Sequence, residues 1–432
     1  MSFQALAFFA IVAATGSTTI GAAGNHAADA NEQLREFRES IRRAHESGDM
    51  PAYLGNSRLL YSFLNGSPQS VLQLMSAEAA AGAVDEALAS FEQFVRMGQS
   101  NEDAVAAKQF EALRVTDRYR MVHAAMTANN SSISTASKSF EINDASLVPE
   151  DIDFDTTTQL FYITSVRKKM IIAVDMHGRS HVFANAPDGW PMLAVKVDTR
   201  HRLLWGTEVA LDGFVLSPSK DWGKSAIDIY NLDTGVLLNH VAGPPNTALG
   251  DMTLTPDGDA IVSDGEHGGV YRVERVTRHI ERLDHGDFIS PQTPAVAPDG
   301  LRIIVPDYLR GIGILDLKSR RVTWLPMEGR YALNGIDGLY LSGNMLLAVQ
   351  NGTSPERVIR FGLDTSRTQI ANQLLIERAT ATLGDPTHGV VVGNRFYYIA
   401  NSGWDALDEH GNIKPGKTMT SAVIMSAELG KP

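Results

Sequence analysis

GDMTLTPDGDAIVSDGEHGGVYRV, residues 250–273, decides the fold. Read with a period of two, Met252 and Leu254 make one apolar stripe, and Ala260, Ile261 and Val262 make a short buried run. Between them Pro256-Asp257-Gly258 is a tight turn: the proline presets φ and the glycine supplies a left-handed position. A third run, Gly269 to Val273, follows an acidic, glycine-rich loop. Strand, turn, strand, loop, strand is most of a four-stranded antiparallel sheet, too small to bury both faces alone.

The phrase recurs. LVPEDIDFDTTTQLFYIT (147–164) and MLAVKVDTRHRLLWGT (192–207) precede it. SPQTPAVAPDGLRIIVPD (290–307), NGIDGLYLSGNMLLAVQN (334–351) and DPTHGVVVGNRFYYIAN (385–401) follow. Copies spaced by roughly 40–60 residues signal stacked repeats. Six all-strand copies close most naturally as six blades around a channel. The expected fold is therefore mainly β, a six-bladed β-propeller over 145–427 with a small α-helical domain before it.

Of 432 residues, 44% are hydrophobic and 20% charged, enough for a sizeable core. The formal net charge of −12 argues against nucleic acid or an anionic membrane as partner. Cysteine is absent, which excludes disulfides, thiolate metal sites and a cysteine nucleophile.

Residues 1–28 carry no Asp, Glu, Lys or Arg, and Phe3 to Ala14 is apolar over the length of a signal-peptide core. Small residues follow, so 1–28 reads as a signal peptide, with the mature chain periplasmic or secreted and free of a membrane span. Over 29–127 the period changes: Leu34, Phe37, Ile41 and Ala44 repeat at helical spacing. PQSVLQLMSAEAAAGAVDEALASFEQFVRMG (68–98) resembles a tetratricopeptide hairpin, with Ala77, Ala80 and Gly82 allowing close approach and Phe91 filling the groove. So short an array suits a cap on the propeller or a docking module for a protein partner. The Ser-, Asn- and Thr-rich stretch within 128–144 reads as a linker.

In such blades the innermost strand begins at one mouth of the channel. That position holds Glu150, Leu193, Gly250, Gln292, Asp337 and His388 in the six copies, with Asp251 one residue on. Loops leaving each second strand return to the same face and bring Asp264, Asp307, Asn351 and Asn401 to the rim, where they either contact substrate or satisfy loop amides. A ring of oxygens on a narrow axis suits a hard cation such as Ca²⁺.

With these residues in place, the chain resembles the senescence-marker-protein/gluconolactonase/luciferin-regenerating-enzyme-like family of six-bladed propellers, which is related to paraoxonases and strictosidine synthases. Pro149-Glu150-Asp151-Ile152 resembles the family's opening Glu motif and Ile336-Asp337-Gly338-Leu339 its Asp-Gly-Leu motif. The resemblance implies a hydrolase of lactones or other esters with one divalent cation, most simply Ca²⁺, at the channel mouth. Glu150 and Asp337 would be its ligands, and Gln292 would stand where the family carries Asn. His388, Asp337 or Asp251 would activate water, with Asp251, Asp264, Asp307, Asn351 and Asn401 around a small-molecule substrate. The alternative is a non-catalytic ligand-binding or protein-interaction propeller with a structural cation or none. No phosphate loop, dinucleotide glycine motif or Gly-x-Ser-x-Gly occurs, and His177 and His181 lack the helix and glutamate of a zinc-protease pair.

Overall fold

The computed structural model describes residues 29–430; the expected signal peptide lies outside them. Six sheets surround a channel. Blade one is Pro149–Asp155, Leu160–Ser165, Met170–Val174 and Ser180–Asn185, from axis to rim. Blade two runs Met192–Asp198, Leu203–Ala210, Lys224–Asn231, Leu237–Ala242, and blade three Leu249–Leu254, Ala260–Asp264, Val270–Val273, Ile280–Arg282. Blades four, five and six begin at Ala295–Val296, Gly338–Ser342 and Gly389–Val392. The turn that announced the fold is as read: Gly258 has φ +85, and a Cβ there would meet Arg275 and Asp198 at 2.8 Å.

Residues 128–144, expected as a linker, contribute two strands instead. Ile133–Ser134 pairs with Glu377 and Arg378 at the edge of blade five, and Ser137–Ile142 pairs with Ala422–Glu428 as the outermost strand of blade six. The reason is topological: the chain after residue 385 supplies that blade with only three strands, so an earlier segment closes the ring. Polar composition concealed the inward-facing Phe140 and Ile142, which pack with Phe154, Phe161 and Tyr397.

Three innermost strands share an irregularity at their start. Register shifts between Pro149 and Ile152, Met192 and Val195, and Leu249 and Asp251 interrupt regular pairing where Glu150, Leu193 and Gly250 stand. A hydroxyl of the preceding blade holds the backbone at the start of blades two, three and four: Thr164 Oγ1 donates to the Leu193 carbonyl and Thr207 Oγ1 to that of Gly250, both at 2.6 Å, and Ser263 Oγ to that of Gln292 at 3.0 Å. The ring of blade starts is thus fixed by the sheets themselves.

Seven helices occupy the N-terminal part of the described residues: α1 (Ala30–Ser47), α2 (Met50–Phe63), α3 (Pro68–Ala80), α4 (Val84–Arg96), α5 (Glu102–Val105), α6 (Glu111–Arg114) and α7 (Asp117–Ala128). Asp29 caps α1 by accepting the Glu32 amide, and Gly48 ends it at φ +73. Val71, Met75, Phe91 and Phe94 share one core with Ile304, Ile312 and Leu333 of the propeller. The buried Arg357 guanidinium donates to the Met97 carbonyl at 3.1 Å, and Asn65 Nδ2 to the Arg310 carbonyl at 2.9 Å. The helices therefore cap the loops of blades three to five on the face where the innermost strands begin. No helix among the described residues is long and apolar enough to cross a membrane.

Candidate functional site

Glu150, Asp337 and His388 each offer a ligand atom, and these atoms lie within 4.8 Å of one another on the channel axis. All three are buried, as are Asp251 and Gln292. His388 is held by its own neighbour: Nδ1–H donates to the Glu150 carbonyl at 2.8 Å, the link that Thr and Ser make in other blades. A carbonyl only accepts, so the proton sits on Nδ1 and Nε2 faces inward. Nε2 stands 3.2 Å from Oδ1 of Asp251 without the alignment of a hydrogen bond. Asp337 Oδ2 accepts from Asn351 Nδ2 at 2.8 Å, and Tyr308 donates in turn to Asn351 Oδ1 at 3.0 Å. Glu150 Oε2 accepts from the Trp404 indole N–H.

The electrostatics follow from crowding carboxylates where water is scarce. Burial, and then the charge of Asp337, push Glu150 well above the carboxylate range. Burial raises Asp337 to about 6, against the pull of His388. Burial opposes protonation of His388, but Asp251 and Asp337 overcome it and move that imidazole well above its ordinary value. Without a cation the centre therefore takes up protons to limit its charge.

The donor set fits a divalent cation. Asp337 Oδ1, His388 Nε2 and Gln292 Oε1 are buried and have no hydrogen-bond partner. Gln292 Nε2 donates to the Ser290 carbonyl at 3.2 Å, which fixes the amide with its oxygen free. Above the centre a cavity of about 40 Å³ is lined by Glu150, Leu193, Asp251, Glu266, Asp337 and Trp404, room for a few water-sized spheres.

The other expected rim residues are elsewhere employed. Asp307 accepts from the amides of Ile289, Ser290, Leu309 and Arg310. Asp264 accepts from those of Glu266 and His267 through Oδ1, while its Oδ2 is buried without a partner. Asn401 accepts from the Val423 amide at 2.7 Å and donates to the Ser421 carbonyl at 2.9 Å. These three anchor loops, whereas Asn351 reaches the centre through Asp337. Sequence alone suggests blade packing for Trp404, as for Trp205 and Trp324; in the structure it comes from a loop of blade six and its indole N–H reaches Glu150.

The fold and site define a six-bladed propeller with a buried carboxylate–imidazole centre at one channel mouth. No family model matches the chain and no curated protein matches it in sequence. Among solved structures it is similar to a gluconolactonase from Xanthomonas campestris, at 14% identity and TM-score 0.45 over 66% of this chain and 86% of that one. It is also similar to regucalcin, a calcium-binding protein from Agrobacterium tumefaciens, at 14% identity and TM-score 0.46 over 69% and 95%. A virginiamycin B lyase from Staphylococcus aureus aligns at 14% identity and TM-score 0.44 over 68% and 99%.

Proposed function

We propose that the protein is an exported hydrolase of lactones or other small esters that uses one divalent cation, Ca²⁺ by its oxygen-rich donors, at the channel mouth. The observation that carries this reading is the trio Glu150, Asp337 and His388, with the inward atoms of the last two buried and unpartnered. Glu150, Asp337 and Gln292 would hold the cation. When bound, a divalent cation there supplies Lewis acidity toward an ester carbonyl.

The chain's own groups do the rest. Asp251 borders the cavity beside His388 Nε2; a cation held by the neighbouring carboxylates would offset the charge that keeps this imidazole protonated, leaving Nε2 free to take the proton of an attacking water while Asp251 stabilises the imidazolium formed. The Glu150 carbonyl keeps the imidazole in one tautomer and orientation. Asn351 keeps Asp337 from rotating away. Leu193, Leu211 and Trp404 give the cavity apolar walls that limit water.

A second reading, a non-catalytic propeller with a structural cation, is favoured by the smallness of the enclosed cavity. One experiment separates them: metal content and a lactone-hydrolysis screen on wild type, Asp337→Asn and Glu150→Gln. Loss of one cation equivalent per chain together with turnover in both variants, relative to wild type, supports the hydrolase. A cation without turnover supports the structural reading, and no cation sinks the mechanism. Export is tested separately by N-terminal sequencing of the protein recovered outside the cytoplasm.

A further inference from the structure

Blade two carries a second group of titratable side chains away from the axis. Asp228 lies opposite Gly206 on one neighbouring strand and His240 on the other, while Glu208 is two residues beyond Gly206. In a pleated sheet these positions share a face, so Glu208, Asp228 and His240 project together toward blade one. The loop between the blades adds Asp188, whose Oδ2 is 3.3 Å from His240 Nε2. His240 Nδ1 is 2.7 Å from Asp228 Oδ1 and 3.8 Å from Glu208 Oε1.

Charge does not balance here. Three carboxylates face one imidazole, and among the described residues no Lys or Arg lies within ion-pair distance of them. Glu208 and Asp228 are wholly inaccessible at their side chains. Asp228 Oδ2 is buried with no partner in hydrogen-bond geometry, and Glu208 and the Tyr230 hydroxyl are its polar neighbours. His240 and Asp188 remain partly open to solvent and provide a way in.

We infer that Asp188, Glu208 and His240, backed by Asp228, form a second divalent-cation site between blades one and two. Their ligand atoms already lie within 4.8 Å of one another. Imidazole nitrogen among carboxylates selects a cation of the zinc or manganese class over calcium. Zinc ligands sit about 2.0–2.2 Å from the ion, so the site tightens on binding, and the exposed Asp188 is the member free to move. Glu208 spends its oxygens on the Asp188 and Trp190 amides at 3.1–3.3 Å, which orients it while leaving lone pairs for a metal.

The test is calorimetric titration of chelator-stripped, full-length protein with ZnCl₂ and MnCl₂. It is run in Asp337→Asn, which disables the axial centre, and in that background with His240→Ala or Glu208→Gln. The single variant is expected to keep one saturable equivalent and to gain thermal stability with the metal. Either added change weakens that binding by about tenfold or more. His240 is one-third exposed on an outer strand, and the one carbonyl oxygen that Glu208→Gln leaves can serve both amides from the Oε2 position, 3.3 Å from each, so both variants retain the far-UV spectrum. Absence of saturable binding in Asp337→Asn overturns the site and leaves the carboxylates sharing a proton instead. Binding that survives both added changes undiminished also overturns it.

Discussion

At the scale of single residues, the propeller uses oxygen-bearing side chains for two jobs that only their neighbours distinguish. Asp337 has one oxygen held by Asn351 and the other unpartnered, whereas Asp307 has both occupied by four backbone amides. Asp307→Ala is therefore expected to cost about 2–3 kcal/mol in chemical denaturation, with cation content unchanged. Asn351→Ala and Trp404→Phe, which free Asp337 and Glu150, should weaken cation binding by about 10–100-fold by titration and leave the denaturation midpoint of the stripped protein nearly in place. Strand alignment made Glu150, Asp251, Asp337 and His388 legible, because the start of an innermost strand is a fixed place in every repeat. It put Asp264, Asp307 and Asn401 at the same level, because the letter alone does not tell an acid saturated by loop amides, as Asp307 is, from one with an oxygen left over, as Asp264 and Asp337 are. Asn351 differs by one residue: Gln350 takes the loop-anchoring role, donating to the Ala332 and Asn334 carbonyls, so its successor points to the centre.

At the scale of elements, two joints reinforce the links between neighbouring blade starts. The first is the strand Ser137–Ile142, whose Phe140 packs against Phe161 with ring centroids 5.1 Å apart. Phe140→Ala is expected to cost about 3–5 kcal/mol by denaturant titration, and hydrogen exchange should localise the loosening to blades one and six. The second joins blades one and two: Asp155, fully buried at its side chain, accepts from the Thr157 amide at 3.0 Å and from Arg202 at 3.0 Å. Burial works against its ionised form, but these bonds and the Arg202 charge prevail, and Asp155 is held below the usual carboxylate range. A carboxylate depressed on folding gives full stability above its unfolded value, and that stability is lost as the pH falls through the folded one. Wild type should therefore lose stability toward acid more steeply than Asp155→Asn, measured as midpoint against pH from 7 down to 3. The sequence showed the Pro-Asp-Gly turns plainly and hid the closing strand, because a strand paired with residues far along the chain leaves no local signal beyond Phe140 and Ile142.

At the scale of the whole molecule, helices and propeller share one core, and Arg357 is its polar pin, donating to Gln350 Oε1 at 2.7 Å and to the Met97 carbonyl. Burial lowers this guanidinium to about 10, and one of its nitrogens has no partner. Arg357→Met keeps the volume and removes the bonds to both sides. Faster hydrogen exchange in α3 and α4 with the blades unchanged is the expected result; unchanged exchange there would mean that apolar contact alone seats the cap. The helical periods were readable in sequence, but the surface that receives them was not, since it is assembled from three separate blades. The strand exchange that closes the ring also sets a schedule for synthesis. Residues 137–142 leave the ribosome long before their partner at 422–428 exists, a wait on the order of tens of seconds at about 5–20 residues per second. Throughout that interval the nascent chain carries an open-ended ring and an unpaired strand edge, so nascent chains stalled before residue 422 should be cut by protease at blade six. The released protein should resist, one of its first-made strands buttoned to its last.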